Sequence, residues 1–170
     1  EGFRQVHEGQ NRRLQDWIRR NCGSPDIVFD LFGGSANLSS QLANHVEKIF
    51  CVDQKVPKTS LHSKIRFIES KVQTWLLAQS ADDYVGKSIT FLLDPPRSGL
   101  GIDADKYVKK ISEFKVQRVL LVGCDPVQWA RDVKAFMQAG FALQKIAVLD
   151  FFPQTKHIEA MAVLSCDLHR

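Results

Sequence analysis

The sequence predicts an α/β domain built on a doubly wound, mostly parallel sheet. Short apolar runs of strand length alternate with longer segments of helical periodicity along the whole chain. Several runs end in small or polar residues, as strands do where a parallel sheet opens onto a ligand site. The 170 residues are enough for one domain, residues 1–170, and hardly enough for two.

Composition narrows the class of protein. The shares of 44% hydrophobic and 25% charged residues are those of an ordinary soluble protein, and no apolar run is long enough to cross a bilayer. The four cysteines lie far apart without a C-x-x-C pair, which favours reduced thiols in the cytoplasm over a disulfide frame or a metal site. A net charge of +4 permits a polyanionic partner without requiring one. Because the chain opens at Glu1 without an initiator methionine, we expect a piece of a longer protein.

The first third of the chain predicts a helix followed by a strand and a glycine turn. Residues 10–21 have an apolar stripe opposite four arginines, which could bind phosphate or form a solvated helix face. Ile27–Leu31 is a buried strand, and the turn Phe32-Gly-Gly-Ser-Ala36 precedes a predicted helix from Asn37 to Val46. Such a strand, small-residue turn and helix let backbone amides approach a ligand closely.

An acidic residue follows the second predicted strand. That strand, Lys48–Val52, ends in Asp53, about twenty positions after the glycine turn, where folds of this kind hold a ribose by its hydroxyls. The turn lacks the spaced G-x-G pattern, so the motif alone is weak. No Lys-Ser or Lys-Thr pair follows it, which excludes a P-loop.

The rest of the chain continues the alternation. Further strands are predicted at 65–69, 88–93, 116–123, 141–150 and 160–166, and further helices after residue 71 and at 103–114 and 127–139. The last two strands are joined by too short a segment for a crossover helix, so we expect an antiparallel hairpin at one edge. The prediction is a seven-stranded, mostly parallel sheet with one antiparallel edge strand.

Four predicted strand and loop ends offer chemically active side chains at one face of the sheet. These are Asp53, Asp94, Cys124 and Glu159. Cys124 follows a buried strand, and Pro126 then forces the chain out of the sheet before a helix. A cysteine there is by itself most often a core residue. The consecutive prolines after Asp94 make a rigid loop, which fits the wall of a site better than an ordinary turn.

Five motifs in order resemble the RNA 5-methyluridine (uracil-C5) methyltransferase family. They are Phe3-x-Gln5, Asp30-Leu-Phe-Gly-Gly-Ser-Ala-Asn37, Leu93-Asp-Pro-Pro-Arg-Ser-Gly99, Gly123-Cys-Asp-Pro126 and Phe152-Pro-Gln-Thr-x-His-x-Glu159. The resemblance implies the class I, Rossmann-like methyltransferase fold and methylation of C5 of a uridine in ribosomal or transfer RNA. It further implies an RNA substrate, no membrane partner and no metal in this segment, and we expect a monomer.

The resemblance also assigns site residues. Cys124 is the implied nucleophile that adds to C6 of uracil, and Glu159 is the implied base that removes the C5 proton. The implied cofactor is S-adenosyl-L-methionine, with contacts from Gln5, Phe32, Asn37, Asp53 and Asp94. The sequence departs from the family where Gly123 and Asp125 replace the usual serine and asparagine, and where Gly33-Gly-Ser-Ala36 replaces Cys-Gly-x-Gly.

Several residues keep two interpretations. Phe3 is either a platform for a flipped base or an ordinary aromatic residue. In the second interpretation of Asp94 and Gln5, they face the uracil edge instead of, or as well as, the cofactor. Arg131 either pairs with Asp94 or the cofactor or lies on the surface, and His157 either carries a proton or holds the Glu159 loop. Two other functions stay open: an amino-methyltransferase, which Arg97 after the two prolines disfavours, and a class I fold retained as a non-catalytic RNA-binding module.

Overall fold

A computed structural model describes residues 2–60, 62–151 and 158–166, with side chains from Glu8 onward. The helices are α1 (Gly2–Asn21), α2 (Val72–Ala78), α3 (Ala104–Ile111) and α4 (Pro126–Gln138). The strands are β1 (Ile27–Leu31), β2 (Lys48–Asp53), β3 (Ile65–Glu69), β4 (Ile89–Leu93), β5 (Val116–Gly123), β6 (Phe141–Asp150) and β7 (Ile158–Cys166). Short 3-10 helices cover Ser40–His45, Ala81–Tyr84 and Gly101–Asp103.

The strands form one seven-stranded sheet in the order β3-β2-β1-β4-β5-β7-β6. The five strands from β3 to β5 pair in parallel, and β7 pairs antiparallel with both β5 and β6. The predicted fold class is confirmed. The hairpin lies at the edge as predicted, with β6 outermost and the reversed strand β7 one position further in.

Helices cover both faces of the sheet because alternate residues of each strand are apolar on both sides. On one face, called the α1 face, Leu14 and Ile18 of α1 join the side chains of a buried core. On the other, called the α2–α4 face, the three later helices pack on a second core built around Phe29 and Phe91. Strands β1 and β4 are buried throughout, which explains their continuous apolar runs.

The predicted helix from Asn37 to Val46 is wrong. Ala36 takes a left-handed backbone conformation with φ 61°, and regular structure resumes only as the 3-10 helix Ser40–His45. The hydroxyl of Ser39 donates to the carboxylate of Asp30 over 2.5 Å. Such side-chain hydrogen bonds compete with helix formation. The segment after the glycine turn is therefore held as a turn against Asp30 and does not form a helix.

The other helix boundaries also differ from those predicted. Helix α1 starts at Gly2 where the sequence predicted residue 10, and α3 ends at Ile111 instead of residue 114. Helix α4 begins as expected, because Asp125 accepts the backbone amides of Val127 and Gln128. Over the described ranges, every helix is too short or too polar to span a membrane.

Candidate active site

The chemically active side chains lie at the carboxyl ends of the parallel strands. In β5, Leu120 and Val122 alternate onto the core of the α1 face, and Cys124 comes directly after the last strand residue, Gly123. By the same alternation, Asp53 lies two residues after Cys51 of the α1-face core, and Asp94 lies two residues after Leu92 of that core. These residues therefore lie together at the carboxyl ends of the parallel strands.

Cys124 and Glu159 lie directly beyond the last residue pair of β5 and β7. That pair is Gly123 with Ala160, and Cys124 and Glu159 are the next residues outward along the two chain segments. Both side chains are half-buried, and Glu159 contributes to the electrostatic environment of the thiol. The nucleophile and base implied by the sequence are thus neighbours at an open edge.

Carboxylates cluster beside this pair. Burial first, and then the charges of Glu159, Asp30 and Asp53, together raise the pKa of Asp94 to about 7. Burial also raises the pKa of Glu159 and brings that of Asp30 to about 6. Four carboxyl groups this close together make a site that attracts a cationic ligand. The described residues contain no group of three or more His, Cys, Asp or Glu side chains arranged to hold a metal ion.

The glycine turn is packed against two buried side chains. A Cβ atom added to Gly33 would lie 2.6 Å from both Cγ and Oδ2 of Asp30 and 2.6 Å from Sγ of Cys51. Gly34 has φ 56°, and its amide donates to Oδ2 of Asp53 over 2.9 Å. The turn therefore needs glycine at both positions, and it links the end of β1 to the end of β2.

Two carboxyl groups in this region have hydrogen-bond acceptor capacity left. Oδ1 of Asp30 is buried and has no hydrogen-bond partner among the described residues, although such groups are normally paired. The Asp53 carboxylate accepts the amides of Gly34 and Gln54, which leaves lone pairs for further donors. A ligand with adjacent hydroxyls and positive charge fits these acceptors, whereas an anionic pyrophosphate does not.

Opposing charges surround the thiol of Cys124. The pKa of the thiol is raised mainly by burial and next by the carboxylate of Glu159. The backbone amide of Cys124 and the guanidinium of Arg97 act in the opposite direction and lower it. Arg97 is exposed and lines the same narrow cleft as Cys124. The amino end of α4, two residues further on, also favours a thiolate.

Other residues singled out from the sequence contact protein partners or lie outside the described residues, and the cofactor contacts expected of Phe32 and Asn37 stay predictions. The Asn37 side chain exchanges hydrogen bonds with Asn11 of α1. Phe32 packs on Tyr107 of α3, on the α2–α4 face. The Arg131 guanidinium is exposed and donates to Gln128, which favours the surface interpretation. The side chains of Phe3 and Gln5, and all of His157, lie outside the described residues.

Asp30 and Arg97 gain importance that the sequence did not assign to them. The sign of its importance in the sequence is that Asp30 is the one charged residue in the otherwise apolar strand Ile27–Leu31. The departure at Gly123 also has a physical reason, since a Cβ atom there would lie 2.9 Å from Cβ of Trp129. The indole of Trp129 donates to the carbonyl of Leu121, so α4 is held closely against β5.

Methyltransferases are among the solved structures that match this fold. The chain matches the tRNA (uracil-54, C5)-methyltransferase of Pyrococcus abyssi, solved with S-adenosyl-L-homocysteine, with a TM-score of 0.64 and 23% identity, covering 92% of this chain and 38% of that one. It also matches a 1,6-didemethyltoxoflavin-N1-methyltransferase of Burkholderia thailandensis with a TM-score of 0.67 and 13% identity, covering 93% of this chain and 79% of that one. The fold is that of the class I methyltransferases.

Sequence comparison narrows the class to a family. Residues 74–166 match the family described as tRNA (Uracil-5-)-methyltransferase, and the chain belongs to it. Among curated relatives, the 23S rRNA (uracil(1939)-C(5))-methyltransferases RlmD of Colwellia psychrerythraea and of Vibrio vulnificus are 33% and 31% identical, each over 95% of this chain. The chain covers 35% and 38% of their lengths, so it spans little more than a third of these relatives.

Proposed function

We propose that the chain is the catalytic domain of an RNA (uracil-C5)-methyltransferase that acts on a uridine in ribosomal or transfer RNA. The observation that carries the proposal is that Cys124 and Glu159 lie together just beyond the last β5–β7 residue pair, Gly123 with Ala160, at the carboxyl end of β5. The family and the names of the relatives support uracil in RNA as the substrate class.

The residues beside that pair fit S-adenosyl-L-methionine. Asp53 would accept the ribose hydroxyls with the lone pairs that Gly34 and Gln54 leave available. Asp30 and Asp94 would balance the positive charge of the cofactor. Gly33 lies close against Asp30 and Cys51, which keeps the turn narrow. When bound, this cofactor supplies an electrophilic methyl group on a sulfonium and departs as a neutral thioether.

Cys124 would begin the reaction by activating the uracil ring. C5 of uracil is a weak nucleophile, so the thiolate of Cys124 adds to C6 with its electron pair, and the π electrons of the C5–C6 double bond move to O4 as an enolate. Burial and Glu159 raise the pKa of the Cys124 thiol, and Arg97 and the amino end of α4 oppose that rise in favour of the thiolate that this step needs. C5 then becomes nucleophilic and accepts the methyl group.

Glu159 would complete the reaction. Its carboxylate removes the proton from C5, and the electron pair of that bond restores the C5–C6 double bond. The sulfur–C6 bond breaks at the same time, and its electrons leave with Cys124 as a thiolate. Burial raises the pKa of Glu159, which makes it a stronger base than an exposed carboxylate.

The test is methyl transfer from labelled S-adenosyl-L-methionine to uridine-containing RNA, with the modified nucleoside identified by mass spectrometry. We expect 5-methyluridine from the wild type and none from Cys124→Ala. Cys166→Ala is the matched control, because Cys166 is also half-buried but ends β7 at the opposite end of the sheet. Glu159→Gln is expected to accumulate a covalent protein–RNA adduct.

Other results would contradict the proposal in different ways. Full activity of the Cys124→Ala variant would show that Cys124 is not the nucleophile. A methylated adenine or cytosine would indicate an amino-methyltransferase, and RNA binding without any methyl transfer would indicate a non-catalytic module.

A further inference from the structure

A buried carboxylate joins the loop after β4 to helix α4. Asp132 in α4 is 3% exposed, and its Oδ2 accepts the backbone amide of Leu100 over 2.9 Å. Gly99 beside it has φ 68°, and a Cβ atom there would lie 2.6 Å from the same oxygen. The loop can therefore approach α4 this closely only with glycine at residue 99 and a small acceptor at residue 132.

The joined segments carry groups of the candidate site. The loop includes Arg97, and α4 begins at Pro126, directly after Cys124 and Asp125. Arg97 and Cys124 line one narrow cleft, whose walls also include Asp132. Asp132 thus fixes the distance between the segment that holds the cation and the segment that holds the thiol.

We infer that Asp132 is a positioning residue that holds the loop so that Arg97 lies beside Cys124. Arg97 is exposed and has a long flexible side chain, so its own packing does not keep it there. The fixed point is the loop backbone at Leu100, three residues further along. The inference rests on the proposed role of Cys124, but its test requires neither RNA nor methyl transfer.

Thiol reactivity measures this arrangement directly. The groups that act on Cys124 are Arg97 and Asp94 from the loop after β4, Glu159 from β7 and the backbone amide of Cys124 itself. Alkylation by iodoacetamide consumes the thiolate, so its rate below the thiol pKa follows the thiolate fraction. Peptide mass spectrometry resolves Cys124 from the other cysteines.

The experiment compares Asp132→Ala with variants that act on the same contact. Asp132→Ala removes the acceptor, and Gly99→Ala displaces the loop from the other side, so one of the two remains informative if the other does not fold. Asp132→Asn keeps an acceptor oxygen for the Leu100 amide. Arg97→Gln removes the cation directly, and each loop variant is also made in that background.

Asp26→Ala is the matched control for lost hydrogen bonds. Asp26 accepts the amide and the hydroxyl of Ser88 at the far end of the sheet. The loss of these two hydrogen bonds in Asp26→Ala is expected to change the stability of the protein without changing the rate at which Cys124 is alkylated. A purely structural role of Asp132 would make Asp132→Ala behave in the same way.

We expect Asp132→Ala and Gly99→Ala to slow alkylation of Cys124 at pH 7 about threefold, the size of effect that one exposed cation exerts. Arg97→Gln should slow it equally, and the loop variants should add nothing in that background. Asp132→Asn should stay near the wild-type rate. Unchanged rates in folded Asp132→Ala or Gly99→Ala, or effects that persist without Arg97, would overturn the inference.

Discussion

The substitution Gly33→Ala tests the glycine turn most directly. A Cβ atom at residue 33 would lie 2.6 Å from Cγ and Oδ2 of Asp30 and from Sγ of Cys51. Neither neighbour can move aside, because both are buried and Asp30 is tied to Ser39. Forcing one carbon into such a packed interior costs about 1–3 kcal/mol.

Urea unfolding followed by fluorescence measures that cost. We expect the midpoint to fall by about 1 M for a loss of about 2 kcal/mol. Binding of S-adenosyl-L-methionine, measured by calorimetry, should weaken at least about tenfold, because the turn must shift away from Asp53.

Gly9→Ala is the matched control for this prediction. Gly9 lies in α1 with nothing within 4 Å of an added Cβ atom. Alanine should therefore stabilise the helix by about 0.5–1 kcal/mol, the opposite sign. A Gly33→Ala protein that unfolds at the wild-type urea concentration and binds the cofactor normally would refute the packing argument.

Three further predictions concern the same edge of the sheet. Glu159→Gln removes a negative charge that raises the thiol pKa, so alkylation of Cys124 at pH 7 should become about threefold faster; a slower reaction would contradict the neighbouring position of the two residues. The pKa of Asp94 is raised to about 7 in the folded protein, so the folded state binds more protons and stability should fall as the pH rises from about 4 to about 7. Asp94→Asn should reduce that fall by about 1–3 kcal/mol in urea titrations at pH 5 and pH 8, and an equal fall in both proteins would argue against the burial of Asp94. Gly123→Ser should lower stability by about 1–3 kcal/mol through contact with Trp129, and thermal unfolding at the wild-type temperature would show that the indole can move aside.

Much of the fold follows from local sequence patterns. Strands such as Ile27–Leu31, Val116–Gly123 and Phe141–Asp150 are mainly apolar segments bounded by turn residues, and their limits agree with the structure. The helix predicted over 37–46 fails because the hydrogen bond from Ser39 to Asp30 joins residues nine apart. No periodicity within the segment reports such a contact.

The candidate site is predictable in part for similar reasons. The strand ends and motif spacing point to Cys124 and Glu159, but their neighbouring position depends on the β5–β7 register. The contact between Asp132 and Leu100 depends on helix packing, so an aspartate in an amphipathic helix carries no visible sign of it. Gly123 looks like an unexplained departure until the position of Trp129 is known.

The reversed direction of β7 has a practical consequence for labelling. The strand starts beside the thiol at Ile158 and runs away from it, so eight residue steps carry the backbone roughly 27 Å to Cys166. A fluorophore or affinity handle joined after Cys166 would therefore emerge at the far end of the sheet. Such a handle would stay clear of the crevice in which the proposed reaction takes place.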